Sequence, residues 1–154
     1  NANIRLNSLD DQIKALCFAG GKETNLLQLY MKDPSSGASH NSIDSNTNQF
    51  GVFEVTGLQS VVAVKLDDLL NLKGVPSPDH IKLDVDGKET EILQGASNVL
   101  TAVKSILIEI EGSNLEKNLI IIEEIIFESG LTEDLSWRGK GSGRNRLYKR
   151  DINT

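Results

Sequence analysis

Two short apolar runs flank an amphipathic segment between residues 80 and 110, and this arrangement constrains the fold most strongly. "HIKLDV" and "SILIEI" are each apolar enough to form a buried strand. The segment between them carries apolar side chains at helical spacing: Ile92, Leu93, Ala96, Val99, Leu100 and Val103. A strand, one helix and a second strand in this order favour two parallel strands joined by a right-handed crossover.

The remaining sequence continues the alternation of strands and helices. We predict strands in "QIKALCFAG", "TNLLQLYM", "FGVFEV" and "SVVAVKL". Asp67 is expected to cap the short helix "DDLLNL", and Gly130 is expected to end the helix "LEKNLIIIEEIIFES". "LTEDLSW" and "RNRLYKR" are expected to form a final antiparallel pair. The fold class is therefore α/β with a mainly parallel sheet, in one domain over residues 1–154.

A polar stretch interrupts this pattern over residues 32–49. It has no apolar period and contains many turn-forming residues, so we expect a long loop. Long loops in compact domains are often functional. His40 and Ser39 lie in this stretch. A histidine can act as a general base near neutral pH, so His40 is a candidate for that role.

Composition restricts the classes of partner. The net charge of −6 argues against general attraction to nucleic acid or to a membrane surface. No apolar run approaches the roughly 18 residues of a membrane span. Cys17 is the only cysteine, which excludes an internal disulfide and a thiolate metal cluster. We therefore expect a cytoplasmic protein with no nucleic-acid or membrane partner.

The segment "HIKLDVDGKETEILQGA" contains four carboxylates within eight positions: Asp84, Asp86, Glu89 and Glu91. A calcium loop with Gly87 as its sixth residue would begin at Lys82 and end at Leu93. The first position needs an oxygen ligand and the twelfth needs a bidentate glutamate. Lysine and leucine meet neither requirement, so the calcium interpretation fails.

A phosphatase interpretation remains open as an alternative. A strand ending in Asp84-x-Asp86-Gly87 resembles the nucleophile motif of haloacid-dehalogenase-type hydrolases. In such enzymes the first aspartate attacks phosphorus, the second moves a proton, and Mg²⁺ neutralises charge. Threonine is usual after the motif, whereas Lys88 stands there in this sequence. A convincing counterpart of the later acidic pair that holds the metal is also missing from the sequence.

The simplest interpretation assigns these carboxylates to a helix start, because acidic residues in the first turn favour the helix dipole. This interpretation suits Glu91, which is expected to face water together with Lys88. Asp84 differs because it ends a buried strand, at the edge where open α/β sheets bind ligands. Glu89 differs because it shares a helical face with the apolar stripe and is expected to point inward.

An ordered set of motifs resembles the FkbM family of S-adenosylmethionine-dependent methyltransferases, and the resemblance covers nearly the whole chain. The matching positions are Leu66-Asp67-Asp68-Leu69, Pro78-Asp79, Ile81-Lys82-Leu83-Asp84-Val85-Asp86-Gly87, Glu89, Leu93, Gly95-Ala96 and Glu109. Three further stretches look like the family's third strand with its surroundings, its Gly/Ser loop and its closing strand: "NIRLNSLDDQIKALCFAGG", "SSGASHNS" and "RNRLYKR". The family usually has glutamate where Asp86 stands and a small residue where Lys88 stands. The resemblance implies a Rossmann-like class I methyltransferase sheet, S-adenosylmethionine as cofactor, and transfer of a methyl group to a hydroxyl of a sugar or small metabolite.

The resemblance also implies that part of the family's domain is missing. Such enzymes hold the cofactor on a glycine-rich turn after strand one and an acidic residue after strand two. This sequence contains no such turn, so we expect it to lack strands one and two. The strands "QIKALCFAG" and "HIKLDV" would then have bare edges, which invite pairing with another chain. We therefore expect a homodimer formed through exposed sheet edges, an exchange of segments between two copies, or a rearrangement of the first fifty residues. A non-catalytic oligomerising fragment is a further alternative.

The candidate site residues combine the resemblance with the positions of polar side chains. Glu109 and Glu111 bracket Ile110 at the end of a strand, so they share one face and can line a pocket mouth. No metal is required. The predicted catalytic residues are Asp84, Glu89 and His40, the predicted cofactor-binding residues are Ala19, Gly20 and Asp84, and the predicted substrate-binding residues are Ser39, Glu109 and Glu111.

Overall fold

The computed structural model describes residues 2–35, 38, 40–48, 51–110, 115–140 and 143–151. The helices in these ranges are α1 (Ala2–Leu6), α2 (Leu66–Leu69), α3 (Glu89–Gln94), α4 (Ser97–Ala102), α5 (Leu115–Glu128) and the 3₁₀ helix η1 (Leu135–Trp137). The strands are β1 (Ala19–Gly21), β2 (Asn25–Met31), β3 (Ser42–Ile43), β4 (Thr47–Asn48), β5 (Gly51–Val52), β6 (Gly57–Lys65), β7 (His80–Leu83), β8 (Ser105–Glu109), β9 (Thr132–Glu133) and β10 (Asn145–Lys149). The predicted α/β class is confirmed.

The described strands form two four-stranded sheets, with the orders β1-β6-β2-β3 and β7-β8-β10-β9, and a β4-β5 pair. Only β1 with β6 and β7 with β8 run parallel, and the other neighbours are antiparallel. The prediction of a mainly parallel sheet is therefore wrong for this part of the chain. A parallel neighbour needs a crossover connection. The described residues of the connection from β2 to β6 form no helix, and β6 returns antiparallel to β2.

Two predicted strands are shorter than their sequences suggest. Of "QIKALCFAG" only Ala19 and Gly20 belong to a strand, β1, and Ile13 and Leu16 are 45% and 54% exposed. The reason is a lack of partners, because β1 pairs with the last three residues of β6. Among the described residues of "FGVFEV", which are 51–55, only Gly51–Val52 is a strand. The stretch predicted as a continuous loop, residues 32–49, contains β3 and β4.

The predicted crossover between β7 and β8 is present, but its helix is broken in two. The apolar stripe is buried throughout and forms the centre of the core: Ile92, Leu93, Ala96, Val99, Leu100 and Val103. The break lies at Gly95, which packs against β1. A Cβ atom on Gly95 would lie 2.2 Å from the carbonyl oxygen of Gly21. This close approach of two backbones requires a residue without a side chain.

Asp67 does not cap the helix that contains it. The N-cap of α2 is Lys65, and Asp67 lies within the first turn. The buried Asp67 carboxylate instead accepts hydrogen bonds from the backbone amides of Asn98, at 3.0 and 3.1 Å, and Val99, at 3.0 Å. The prediction of a local cap is therefore wrong. Asp67 caps α4 and ties it to α2.

The C-terminal part of the described chain closes the core from the other side. α5 buries Ile122 and Ile126 and ends at Gly130, whose φ of 74° is left-handed, as predicted. The predicted antiparallel pairing of β9 with β10 is confirmed. Arg150 follows β10, and its guanidinium donates hydrogen bonds to the carbonyl oxygens of Leu100, Val103, Ser129 and Gly130. These carbonyl groups lie at the C-terminal ends of α4 and α5.

β1 and β7 are both edge strands of their sheets within the described residues. They are the two strands for which the sequence predicts bare edges. Pairing of these edges with a second copy of the chain stays a prediction. The described helices include none with the length and apolar character needed to cross a membrane.

Candidate functional site

A cavity of about 370 Å³ lies where the first residues of β1 meet the loop before β3 and the corner after β7, which comprises residues 84–88. Its lining brings together residues far apart in sequence, including Ala19, Gly20, His40, Asp86 and Lys88. The β1 residues are small and leave space at the strand end. The corner residues follow the carboxyl end of β7, where ligands bind in open α/β folds. Three residues predicted for the site, Ala19, Gly20 and His40, therefore share one cavity.

His40 reaches this cavity from an unusual backbone conformation. Its φ of 66° is in the left-handed region, which residues with a side chain rarely adopt. The side-chain amide of Asn48 donates a hydrogen bond of 2.7 Å to the carbonyl oxygen of His40. Asn48 belongs to β4, so the strand that follows the loop holds the histidine in place. Backbone strain of this kind clusters at ligand sites.

A second cavity of about 240 Å³ shares Gly20, Ile43 and Lys88 with the first. The two described linings differ in the number of charged side chains, because Asp and Lys contribute only Asp86 and Lys88 to the first, whereas the second has two lysines and three carboxylates. The first cavity includes many apolar side chains: Phe18, Leu29, Ile43, Val85 and Ile92. The second includes many polar side chains: Lys22, Glu23, Asn25, Asp44, Lys88 and Glu91.

Lys88 stands where the two cavities meet and is the charged residue that both linings share. Its ammonium group forms an ion pair with Glu91, with N–O distances of 3.0 and 2.9 Å. The Lys88 side chain is 34% exposed, whereas that of Glu91 is 48% exposed. Lys88 is therefore only partly solvated, although the sequence suggested a solvated position.

Asp84 and Glu109 form a separate group at the carboxyl edge of the second sheet. Leu83 of β7 pairs with Ile108 of β8, so the residues that follow each lie side by side. The ion pair of Asp84 with Lys82, at 2.5 Å, and then a hydrogen bond with Glu109 hold the pKa of Asp84 below its ordinary value. Asp84 is consequently ionised at neutral pH.

Glu109 links this group to the final strand pair, because its carboxylate lies 3.2 Å from Nε of Arg144. The side chains of Asp84 and Arg144 are 46% and 51% exposed. The group is an open, hydrated edge with two carboxylates and two cations. In the described part of the chain, its residues are not in the lining of either cavity.

Glu89 is 3% exposed at the first turn of α3, so the prediction that it faces inward is confirmed. Its Oε1 atom accepts a hydrogen bond of 3.3 Å from the amide of Gly87, whose φ is 88°. This contact joins the corner to the helix. Glu89 does not appear among the described residues that line the two cavities. Its catalytic role stays a prediction.

Ser39 and Glu111, both predicted to bind substrate, lie outside the described residues. Asp86 and Lys88 line the first cavity but are absent from the predicted binding set. Their position in the sequence could have indicated this role, because both residues follow the carboxyl end of a buried strand. The opposite wall, formed by Ala38 and residues 40–43, belongs to a segment whose position the sequence does not reveal.

The two aspartates of the alternative phosphatase motif occupy different surroundings. Asp84 pairs with Lys82, while Asp86 lines the first cavity. Within the described ranges, His, Cys, Asp and Glu side chains form no group of three or more suited to a metal ion. The geometry therefore does not favour the phosphatase interpretation.

Comparison with known proteins identifies the family. The chain is 28% identical over 80 residues to the hexuronic acid methyltransferase AglP of Haloferax volcanii, which corresponds to 52% of this chain and 32% of AglP. The chain thus matches about a third of that relative's length. No solved structure matches the chain significantly. Residues 1–130 match the methyltransferase FkbM domain. Because this match covers most of the sequence, the protein belongs to the FkbM methyltransferase family.

Proposed function

We propose that the chain is part of an S-adenosylmethionine-dependent methyltransferase that acts on a sugar hydroxyl, with a sugar acid of the hexuronic type as acceptor. The observation that carries the proposal is the FkbM match over residues 1–130. The corner at Asp86 and Lys88 lines a cavity together with His40, which supports a ligand site there. The acceptor class follows the name of the relative AglP.

The first cavity fits part of the cofactor. Its volume of about 370 Å³ lies within the range of small-molecule sites. Ala19 and Gly20 would face the adenine, since they are small and lie beside apolar side chains. Asp86 would accept hydrogen bonds from the ribose hydroxyls, a role that carboxylates often fill in nucleotide sites. When bound, S-adenosylmethionine supplies an electrophilic methyl group on its sulfonium sulfur.

Residues of the chain would supply positioning and proton transfer. A hydroxyl oxygen must approach the methyl group in line, and correct placement contributes much of the rate. The His40 imidazole would accept the hydroxyl proton as the new carbon–oxygen bond forms. Asp84, ionised beside Lys82, would bind substrate or cofactor donors at the carboxyl edge that adjoins the corner.

A methyl-transfer assay with matched variants tests this proposal. The chain is incubated with methyl-labelled S-adenosylmethionine and a glucuronate-containing disaccharide, and transferred label is measured. We expect His40→Gln and Asp84→Asn to lower the rate about 10- to 100-fold. His80→Gln and Asp79→Asn are the controls. Asp79 pairs with Lys104 before β7, whereas Asp84 pairs with Lys82 after it, so the two aspartates are chemically similar.

Three results would contradict the proposal or its acceptor group. Equal loss of rate in the His80 and Asp79 variants would assign the effect to general destabilisation. Calorimetry that detects no binding of S-adenosylmethionine, together with no transferred label, would favour the alternative of a non-catalytic oligomerising fragment. Label released by mild alkali would instead identify the sugar carboxylate as the methylated group, because esters hydrolyse and ethers do not. That result would contradict the hydroxyl as acceptor.

A further inference from the structure

We propose that Lys88 binds the carboxylate of the acceptor and thereby selects acidic sugars. This inference rests on the proposed function and adds a specificity residue to it. Its basis is the position of one cation at the junction of the first and second cavities. The first cavity, which has Phe18, Val85 and Asp86 in its lining, suits the flat ring and the ribose of the cofactor. The second cavity suits a molecule with many hydroxyl groups, because its side chains offer donors and acceptors at several points.

The second cavity contains groups that can bind the hydroxyls and the carboxylate of a sugar acid. Asn25 can donate and accept hydrogen bonds, and Asp44 and Glu23 can accept them from hydroxyls. Lys22 and Lys88 are the two cations of its described lining, beside the carboxylates of Glu23, Asp44 and Glu91. Of the two cations only Lys88 also lines the first cavity. A carboxylate held by Lys88 would place the rest of the sugar in the second cavity and one end at the proposed methyl donor.

The ion pair with Glu91 keeps Lys88 in place without saturating it. An ammonium group has three hydrogen-bond donors. The contacts to Glu91, at 2.9 and 3.0 Å, reach the two oxygens of a single carboxylate. A ligand carboxylate can therefore bind the same ammonium beside Glu91, although the two negative charges repel each other. Loss of the Glu91 charge should then strengthen the binding of the ligand.

Loss of Lys88 and loss of the Glu91 charge should therefore change ligand affinity in opposite directions, which distinguishes a ligand site from a purely structural ion pair. A surface pair at this spacing contributes little to stability, and removing either partner breaks it equally. A ligand site predicts different results: Lys88→Ala should weaken binding of D-glucuronate about tenfold, while Glu91→Gln should strengthen it several-fold. Binding of D-glucose, which lacks the carboxylate, should change little in either variant.

Calorimetric titration of the full chain with D-glucuronate and D-glucose at low salt tests the inference without an activity measurement. Lys73→Ala, at an exposed lysine of the segment after α2, is the control for lost positive charge. Equal affinity of wild type for the two sugars, or no glucuronate binding, would overturn the assignment. The same weakening in Lys73→Ala would overturn it as well.

A parallel titration with S-adenosylmethionine distinguishes this inference from the proposed function. Because Lys88 also lines the first cavity, we expect Lys88→Ala to change cofactor affinity much less than glucuronate affinity. If the variant loses cofactor affinity but not glucuronate affinity, Lys88 binds the carboxylate of the cofactor and the acceptor assignment is wrong. If glucuronate binds through Lys88 but no cofactor binds, the proposed methyl transfer fails while the carboxylate site stands.

Discussion

The carboxylate of Asp67 binds the backbone amide of Val99, 32 residues later in the chain, at 3.0 Å. Asn98 donates its amide to the same carboxylate. The first turn of α4 thus obtains its cap from another helix. The motif "LDDL" therefore has a structural role in this protein, because its first aspartate joins the strand-and-helix unit of β6 and α2 to the central crossover.

Asp67→Ala should lower the free energy of unfolding by about 1–2 kcal/mol, the usual cost of losing a helix cap. Urea unfolding followed by circular dichroism measures this change. Asp68→Ala is the control, because Asp68 is exposed and its contact with the Thr24 hydroxyl lies at the surface. A control that destabilises the chain as much as Asp67→Ala would contradict the capping role.

Gly95→Ala should destabilise the chain by about 1–3 kcal/mol, because the new methyl group would collide with the backbone of Gly21. Thermal unfolding is the measurement. Gly57→Ala is a matched control, since the close contact of its Cβ, at 2.8 Å, is with the flexible end of Met31 and the next contacts lie at 3.9 Å. If the two variants unfold at the same temperature, the contact between the helix break and β1 is not as tight as the structure shows.

Asn48→Ala should disturb His40 more than it disturbs the fold. The hydrogen bond from Asn48 to the His40 carbonyl supports a left-handed backbone that would otherwise be strained. We expect a large shift of the His40 amide resonance and a several-fold lower methyl-transfer rate. Asn46→Ala, at an exposed neighbour, should leave both unchanged. An unchanged His40 resonance in the Asn48 variant would argue against this positioning role.

Asp134 should have a pKa well below the ordinary value of an aspartate side chain. Its hydrogen bonds with Lys149 and Ser136 lower its pKa from 3.8 to about 2. Because the folded pKa is below the unfolded one, the stabilisation is complete above about pH 4 and disappears as the pH falls through about 2. Carboxyl-detected NMR titration measures the value. Lys149→Gln should raise it, and an Asp134 pKa near 3.8 in the wild type would refute the prediction.

Arg150→Lys should lower the free energy of unfolding by about 1–2 kcal/mol. A lysine cannot reproduce the fork that reaches four carbonyls at the ends of α4 and α5. Arg5→Lys, on the exposed face of α1, should be neutral in the same denaturation experiment. Identical midpoints for the two variants would show that the guanidinium contacts are dispensable.

The sequence predicts most of the fold between residues 80 and 130, because its signals there are local. The stripe from Ile92 to Val103 has helical spacing, and the two flanking strands are short and apolar. The break at Gly95 is not visible in this pattern, since it depends on the carbonyl of Gly21 in another sheet. The sequence predicts residues 12–31 less well, because the length of β1 depends on how many residues of β6 lie beside it.

The same distinction applies to the site. The inward orientation of Glu89 follows from helical period alone, and burial confirms it. The sequence also predicts that Asp84 and Glu109 lie close together, because they stand at the carboxyl ends of two neighbouring parallel strands. The sequence predicts that Lys88 faces water, because it lies off the apolar stripe of the helix that follows it. The wall that covers it comes from the loop before β3, and its position depends on tertiary packing.

The contacts of Arg150 bear on where this domain should be considered to end. The match to the FkbM domain stops at residue 130, at the end of α5. Yet Arg150 binds the carbonyl of that same Gly130, and β10 lies between β8 and β9 in the sheet. The contacts that hold β8 and the ends of α4 and α5 thus extend beyond the segment recognised by similarity. A chain cut at residue 130 would leave β8 with an unpaired edge and the ends of two helices uncapped.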